Sequence, residues 1–165
     1  MTVGAGLFLA FLVLQRLAEL AISRRNTRAL MAEGAREVAP GHYPAIVALH
    51  AAWIAALVVL GHDAELQIGW LVIFAVLQLF RIWILRTLGR RWTTRIIVTD
   101  TPLVAYGPYR WIAHPNYLLV VCEIAVAPLV LGLGWVAVVF SVLNAAVLSI
   151  RIRAENAALA AGRGA

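Results

Sequence analysis

The chain has one cysteine, Cys122, so no intrachain disulfide can form, and its place inside an apolar run gives it a packing role. Its four histidines include no close His-x-x-His pair, short of what a membrane di-iron or zinc site needs, so no metal is expected. Lysine is absent: all 14 basic residues are arginines. Because they are split over three segments instead of forming one patch, the formal charge of +6 is no nucleic-acid signal. Internal repeats and low-complexity linkers are also missing. The first apolar run lacks the basic start and small-residue cleavage site of a secretory signal and carries Arg16 and Glu19, so it is expected to stay attached.

What is abundant is apolar surface. Residues AVILMFWYC make up 63% of 165 residues and mean hydropathy is +0.88, which places most of the chain in lipid as a single membrane domain, 1–165. Val3–Ile22, Pro44–Leu60, Ile68–Leu85, Tyr117–Leu133 and Trp135–Ile150 each come near the roughly 20 residues that cross a hydrocarbon core. The expected fold is an all-α integral membrane protein of about five transmembrane helices, the last two a hairpin over Gly132-Leu133-Gly134. Ser23–His42 reads as an interfacial helix with a turn near Gly41, and Trp92–Thr101 as a surface segment; both could roof a site.

The arginines orient the chain. Arg24, Arg25, Arg28 and Arg36 follow the first span, Arg86, Arg90, Arg91, Arg95 and Arg110 the third, and Arg151, Arg153 and Arg163 the fifth, while the link with His62, Asp63 and Glu65 has none. The positive-inside rule then puts the N-terminus outside and the arginine-bearing segments in the cytoplasm, beside anionic headgroups. Arginine-only basicity and alanine richness hint at a high-GC bacterial genome, hence at the inner membrane.

The most distinctive stretch runs from Gly107 to Tyr117, polar, aromatic and punctuated by proline. Pro115 suits the first turn of the fourth span, whose amino end can hold a carboxylate or phosphate, while Tyr109, Trp111 and Tyr117 offer ring faces to a base or a cation. An interfacial aromatic belt would explain the aromatics and proline but leaves His114 and Asn116 unexplained. Glu123, two turns into the same span, is either a functional carboxylate or the partner of Arg16 or Arg81 in a buried ion pair. Asn116 and Glu123 share a helix face; Arg16 and Glu19, three apart, suit a local pair. His42 and His50 flank the second span, suited to structural hydrogen bonds or to a substrate, and Glu37 with His42 could lid a slot.

Gly107-x-Tyr109 with His114-Pro115-Asn116-Tyr117, followed by Arg153-Ala154-Glu155-Asn156-Ala157-Ala158-Leu159, resembles the paired signature of the isoprenylcysteine carboxyl methyltransferase family. Further motifs are similar to a bacterial branch, some of whose members methylate long-chain phenolic or pyrone lipids: Arg16-Leu17-x-Glu19, Ser23-Arg24-Arg25-Asn26, Gly34-Ala35-Arg36-Glu37, His42-Tyr43-Pro44, His50 and Trp92-Thr93-Thr94-Arg95. Ala113, Leu119 and Asn156 depart from the family pattern, and the aromatic tail of the eukaryotic enzymes is missing.

The resemblance implies an S-adenosyl-L-methionine-dependent O-methyltransferase acting on a lipophilic acceptor, either a phenolic or pyrone lipid or an isoprenylcysteine-like carboxylate. It implies a cofactor region over 101–160 with Gly107, Tyr109, His114, Pro115, Tyr117, Arg153 and Glu155. Substrate-side helices over 1–100 would contribute Glu37, His42, His50 and Trp92. Glu123 would be the base for a phenol, with Asn116 beside it. The competing class is a non-enzymatic membrane module, a small transporter subunit or assembly partner whose buried charges only pair helices; cofactor binding separates the two. The sequence does not fix an oligomeric state.

Overall fold

The computed structural model describes residues 2–99 and 101–163, with the side chains of His42 and of 158–163 outside the described set. Five helices follow from the apolar runs: α1 (Val3–Ala32), α2 (Tyr43–Gly61), α3 (Ile68–Leu88), α4 (Pro115–Val130) and α5 (Gly134–Arg163). Four of them, all but α4, are long and apolar enough to cross a membrane. The fold is that of an all-α membrane protein, with one strand pair at its polar end.

The N-terminal end is tied by Thr2, whose hydroxyl caps Ala5 N and donates to Ala64 O at 2.8 Å, while Thr2 N donates to His62 O. Gln67 N donates to Val130 O nearby, so the start of α1, the α2–α3 link and the end of α4 share one end of the bundle. The opposite end collects Arg24, Arg25, Arg28, Arg36, Arg86, Arg90, Arg91, Arg95 and Arg110. This separation is what the arginine distribution along the chain predicts.

At 16 residues α4 reaches about 24 Å, short of a hydrocarbon core of about 30 Å. It compensates by being central: it packs on both α3 and α5 and buries Glu123, Ile124, Ala127 and Val130 almost completely. Trp53 and Leu57 of α2, Leu12 of α1 and Val136 of α5 complete the core, and Phe8 meets Phe74 edge-on at 5.1 Å to join α1 to α3. The α4–α5 hairpin turns at Gly132, whose φ of +69° is the left-handed conformation that glycine allows.

Two expectations need correction. Ser23–His42 is not a separate interfacial helix, because α1 continues unbroken to Ala32. The polar face that suggests an interfacial helix is satisfied by protein instead of water: Asn26 Nδ2 donates to Gly89 O and Trp92 O, and Ser23 bonds Thr94. The chain first turns at Gly34, after which β1 (Arg36–Glu37) pairs antiparallel with β2 (Ile97–Val98), and a short 3-10 turn at Pro40–His42 stands where a turn near Gly41 is expected. Likewise α5 runs past Ile150, so Arg151–Ala157 is helical.

Candidate functional site

The segment 92–98 returns over the bundle at its arginine-rich end, and Thr94 fastens it to three helices. Its amide donates to Ser23 Oγ at 2.9 Å, its hydroxyl lies 3.2 Å from Tyr43 Oη, and its carbonyl accepts from Arg151 at 2.7 Å. Beside it, Arg95 forks onto both Glu37 oxygens at 2.9 and 2.8 Å and lies over the Tyr43 ring. Roofing was an expected role for this stretch, and the strand pair with Glu37 holds it there.

Under the roof lie two cavities, the smaller much more polar in its lining than the larger. One, of about 240 Å³, opens at the polar end and is lined by Arg91, Arg95, Tyr109, His114, Arg151 and Glu155 with several β-branched residues of 96–99. The other, of about 610 Å³, runs between α1, α2 and α5 at membrane depth and is lined mostly by aliphatic side chains. Trp92, Asn116, Tyr117 and Arg151 line both, and so form the wall between them.

That wall is tightly bonded. Arg151 Nε donates to Tyr117 Oη at 2.8 Å, the Tyr117 hydroxyl in turn donates to Glu155, and Arg151 also lies over the Tyr117 ring. His114 stacks on Tyr117 with ring centres 5.2 Å apart, its Nδ1 3.9 Å from Glu155 Oε1. Trp92 Nε1 donates to Asn116 Oδ1 at 3.5 Å. Burial, with the Glu155 charge adding, pushes the Tyr109 phenol well above its ordinary pKa, so it stays a neutral hydrogen-bonding group.

Of the residues expected in a cofactor region, Tyr109, His114, Tyr117 and Glu155 meet at the polar cavity. Gly107 and Pro115 do not line it. Gly107 is needed for packing: its φ is +60° and a Cβ would stand 2.7 Å from Thr87 Oγ1, so Gly107→Ala should cost about 1–3 kcal/mol, read as a drop in the midpoint of thermal unfolding. Pro115 is fully buried as the first residue of α4. Arg153 is exposed and off the cavity, whereas Arg151, which the sequence reading passed over, is buried in the wall. On α5, Asn144, Val147, Leu148 and Arg151 recur at helical spacing and line the apolar cavity, with Glu155 one turn further on; Arg153 is two residues from that face.

Among the substrate-side expectations, His50 lines the apolar cavity and Trp92 the wall, while Glu37 acts through its clamp on Arg95. The side chain of His42, like those of Ala158, Leu159 and Arg163, lies outside the described residues. Ala113 lines the polar cavity, and Leu119 packs with Ile84 and Trp92.

Glu123 lines neither cavity. Its carboxylate is fully buried and accepts from Arg16 at 2.7 Å, from Arg81 Nε at 2.9 Å and from Gln78 at 3.0 Å. Glu19 joins the cluster through Arg16 at 2.9 Å and Arg81 at 2.8 Å, so two arginines face two glutamates. With both oxygens engaged and no opening to an acceptor, the ion-pair alternative is the geometry observed, and the base role loses its footing. Asn116, by contrast, stands in the wall.

A model of the isoprenylcysteine carboxyl methyltransferase (ICMT) family matches residues 70–161, which hold most of α3, the roof, the polar cavity's aromatic segment, α4 and most of α5. The chain is 40% identical over 159 residues to "Uncharacterized protein YpbQ" of Bacillus subtilis (strain 168), covering 93% of this chain and 95% of that one. It is 27% identical over 153 residues to an "Uncharacterized protein" of Haemophilus influenzae (strain ATCC 51907 / DSM 11121 / KW20 / Rd), covering 87% and 88% respectively. No solved structure matches. With Tyr109, His114, Tyr117 and Glu155 of the signature at one cavity and a family match extending over more than half the chain, this protein belongs to the isoprenylcysteine carboxyl methyltransferase family.

Proposed function

We propose that the protein is an S-adenosyl-L-methionine-dependent O-methyltransferase acting on a lipophilic acceptor, with its arginine-bearing end and polar cavity in the cytoplasm. One observation carries this reading: a polar cavity and an apolar cavity share the wall formed by Trp92, Asn116, Tyr117 and Arg151.

The polar cavity suits the methyl donor in its donor set. Glu155 offers a carboxylate to ribose hydroxyls or a positive centre, Arg91 and Arg95 offer positive charge to an amino-acid carboxylate, and Tyr109 and Trp92 offer ring faces. Its volume falls just under the roughly 300 Å³ at which small-molecule sites begin, and its rim is open where Thr101 and Leu103 are exposed. S-adenosylmethionine would supply an electrophilic methyl group, whose passage to oxygen depends on alignment and on exclusion of water.

Trp92 and Tyr117, both buried, keep water from the junction, and Asn116 faces each side of it. The Arg151 guanidinium puts a buried positive charge in the wall, which attracts the oxygen of an acceptor brought there. The aliphatic cavity accepts a long chain entering from lipid. These features favour a phenolic or pyrone lipid, with an isoprenylcysteine-like carboxylate the other acceptor of the same class.

Purified protein in lipid nanodiscs, given methyl-labelled S-adenosylmethionine and long-chain phenols, should move label into the organic phase. No transfer together with no donor binding would overturn the reading.

A further inference from the structure

Glu123 is sealed in its ion pairs, so an acceptor hydroxyl at the wall needs another place to leave its proton. The wall itself holds a directed chain of hydrogen bonds. Arg151 Nε donates to Tyr117 Oη at 2.8 Å, and the Tyr117 hydroxyl donates to Glu155 Oε2. Neither bond can reverse: a guanidinium has no lone pair with which to accept, and a carboxylate has no proton to give. A phenol oxygen carries one proton and two lone pairs, so these two bonds leave one lone pair on Tyr117 Oη, with no further partner among the described residues. Only a donor can fill it.

The chain also has a sense in space. Tyr117 and Arg151 line both cavities, whereas Glu155 lines the polar one alone. Tyr117 is 9% exposed, while the Glu155 side chain, beyond the span, is 25% exposed. A proton received at the wall and passed to Glu155 therefore ends within reach of water, on the side away from lipid. Among the described residues the apolar cavity has a single lining carboxylate, Glu19, and Arg16 and Arg81 already hold it at 2.9 and 2.8 Å.

We propose that Tyr117 is a catalytic residue: its hydroxyl takes the proton of the acceptor hydroxyl while handing its own to Glu155, so the proton leaves through the wall. This rests on the methyltransferase reading and deepens it by giving the proton a path.

As the acceptor oxygen bonds to the methyl carbon, and that carbon parts from sulfur, the acceptor O–H becomes strongly acidic. Its bond to hydrogen breaks, a new O–H bond forms at Tyr117 Oη, and the former Tyr117 O–H breaks toward Glu155 Oε2. The electron pair of the broken S–C bond stays on sulfur. Tyr117 ends as it began, and Glu155 ends as a neutral acid that gives its proton to water. The positive charge on sulfur and the negative charge of Glu155 disappear together, so no net charge is created at the buried wall. Arg151, donating to the Tyr117 oxygen, stabilises negative charge there during the exchange.

The test uses the full chain in nanodiscs, a long-chain phenol, and its ring-tetrafluorinated analogue, which is already ionised at neutral pH and has no proton to lose. At saturating S-adenosylmethionine, Tyr117→Phe should lower kcat for the phenol by about 100-fold and for the analogue by no more than about threefold. Turnover of the analogue shows that the variant is folded. Glu155→Gln, which removes the far end of the relay at a part-exposed position, should give the same split. Binding without any methyl donor, read by quenching of tryptophan fluorescence, is a separate measure: the wild type should hold the phenol about threefold or more tighter than its methyl ether, and Tyr117→Phe should hold the two alike. Equal slowing of both acceptors, an unchanged phenol rate in either variant, or a phenol-specific loss confined to His50→Gln would overturn the relay and leave the methyltransferase reading standing. A wild type that methylates neither acceptor would sink that reading and the relay with it.

Discussion

Replacing Glu123 by glutamine should destabilise the protein severely, by about 3–5 kcal/mol, because it leaves Arg16 and Arg81 in a low-dielectric interior facing only Glu19. The carboxylate is fully buried and the Arg81 side chain nearly so, and Glu19 alone cannot balance two guanidinium groups. In detergent the variant should melt well below the wild type or fail to accumulate. Combining Glu123→Gln with Arg81→Gln restores the balance of charge, and the pair should be less damaging than the sum of the two single changes, the sign of direct coupling. A variant that melts like the wild type yet has lost all turnover would reinstate Glu123 as a base.

Glu155→Gln should weaken binding of S-adenosylhomocysteine by about 10- to 100-fold, the range for removing a charge-assisted hydrogen bond, with little change in thermal stability. The stability expectation follows from position: Glu155 is part-exposed beyond the span, yet it accepts from Tyr117 and stands beside His114 at the polar cavity. Arg153→Ala, two residues away on the exposed side of α5, should leave that affinity within about twofold, since a surface arginine outside a site contributes little. Equal losses in the two variants would mean that the donor lies elsewhere on α5.

The helices were legible because hydropathy marks any stretch that must meet lipid. Their polar ends were not, since Ser23 and Asn26 look like a surface face until the segment that bonds them is known to lie alongside. The pairing of Arg36 with Val98 was beyond reach for a similar reason: two-residue strands far apart in sequence leave no periodicity to read. Tyr109, His114, Tyr117 and Glu155 could be named from motifs. Arg151 required the face of α5 to be followed upward from Glu155, four residues along the helix, and the residue two positions off drew attention instead. Glu123 illustrates the limit most clearly. A carboxylate in a span reads equally as a functional group or half of an ion pair, and the deciding fact is the depth of Arg16 and Arg81 on other helices. The two cavities, and the wall that serves both, exist only in the packed bundle.

The methyltransferase reading requires that the polar cavity over Tyr117 and Glu155 hold the methyl donor. Calorimetric titration of the purified protein in nanodiscs with S-adenosylhomocysteine tests it most directly. Saturable binding at one site per chain is expected in the wild type, weakened by Glu155→Gln and kept by Arg153→Ala. Absence of any heat of binding by folded wild-type protein would contradict it.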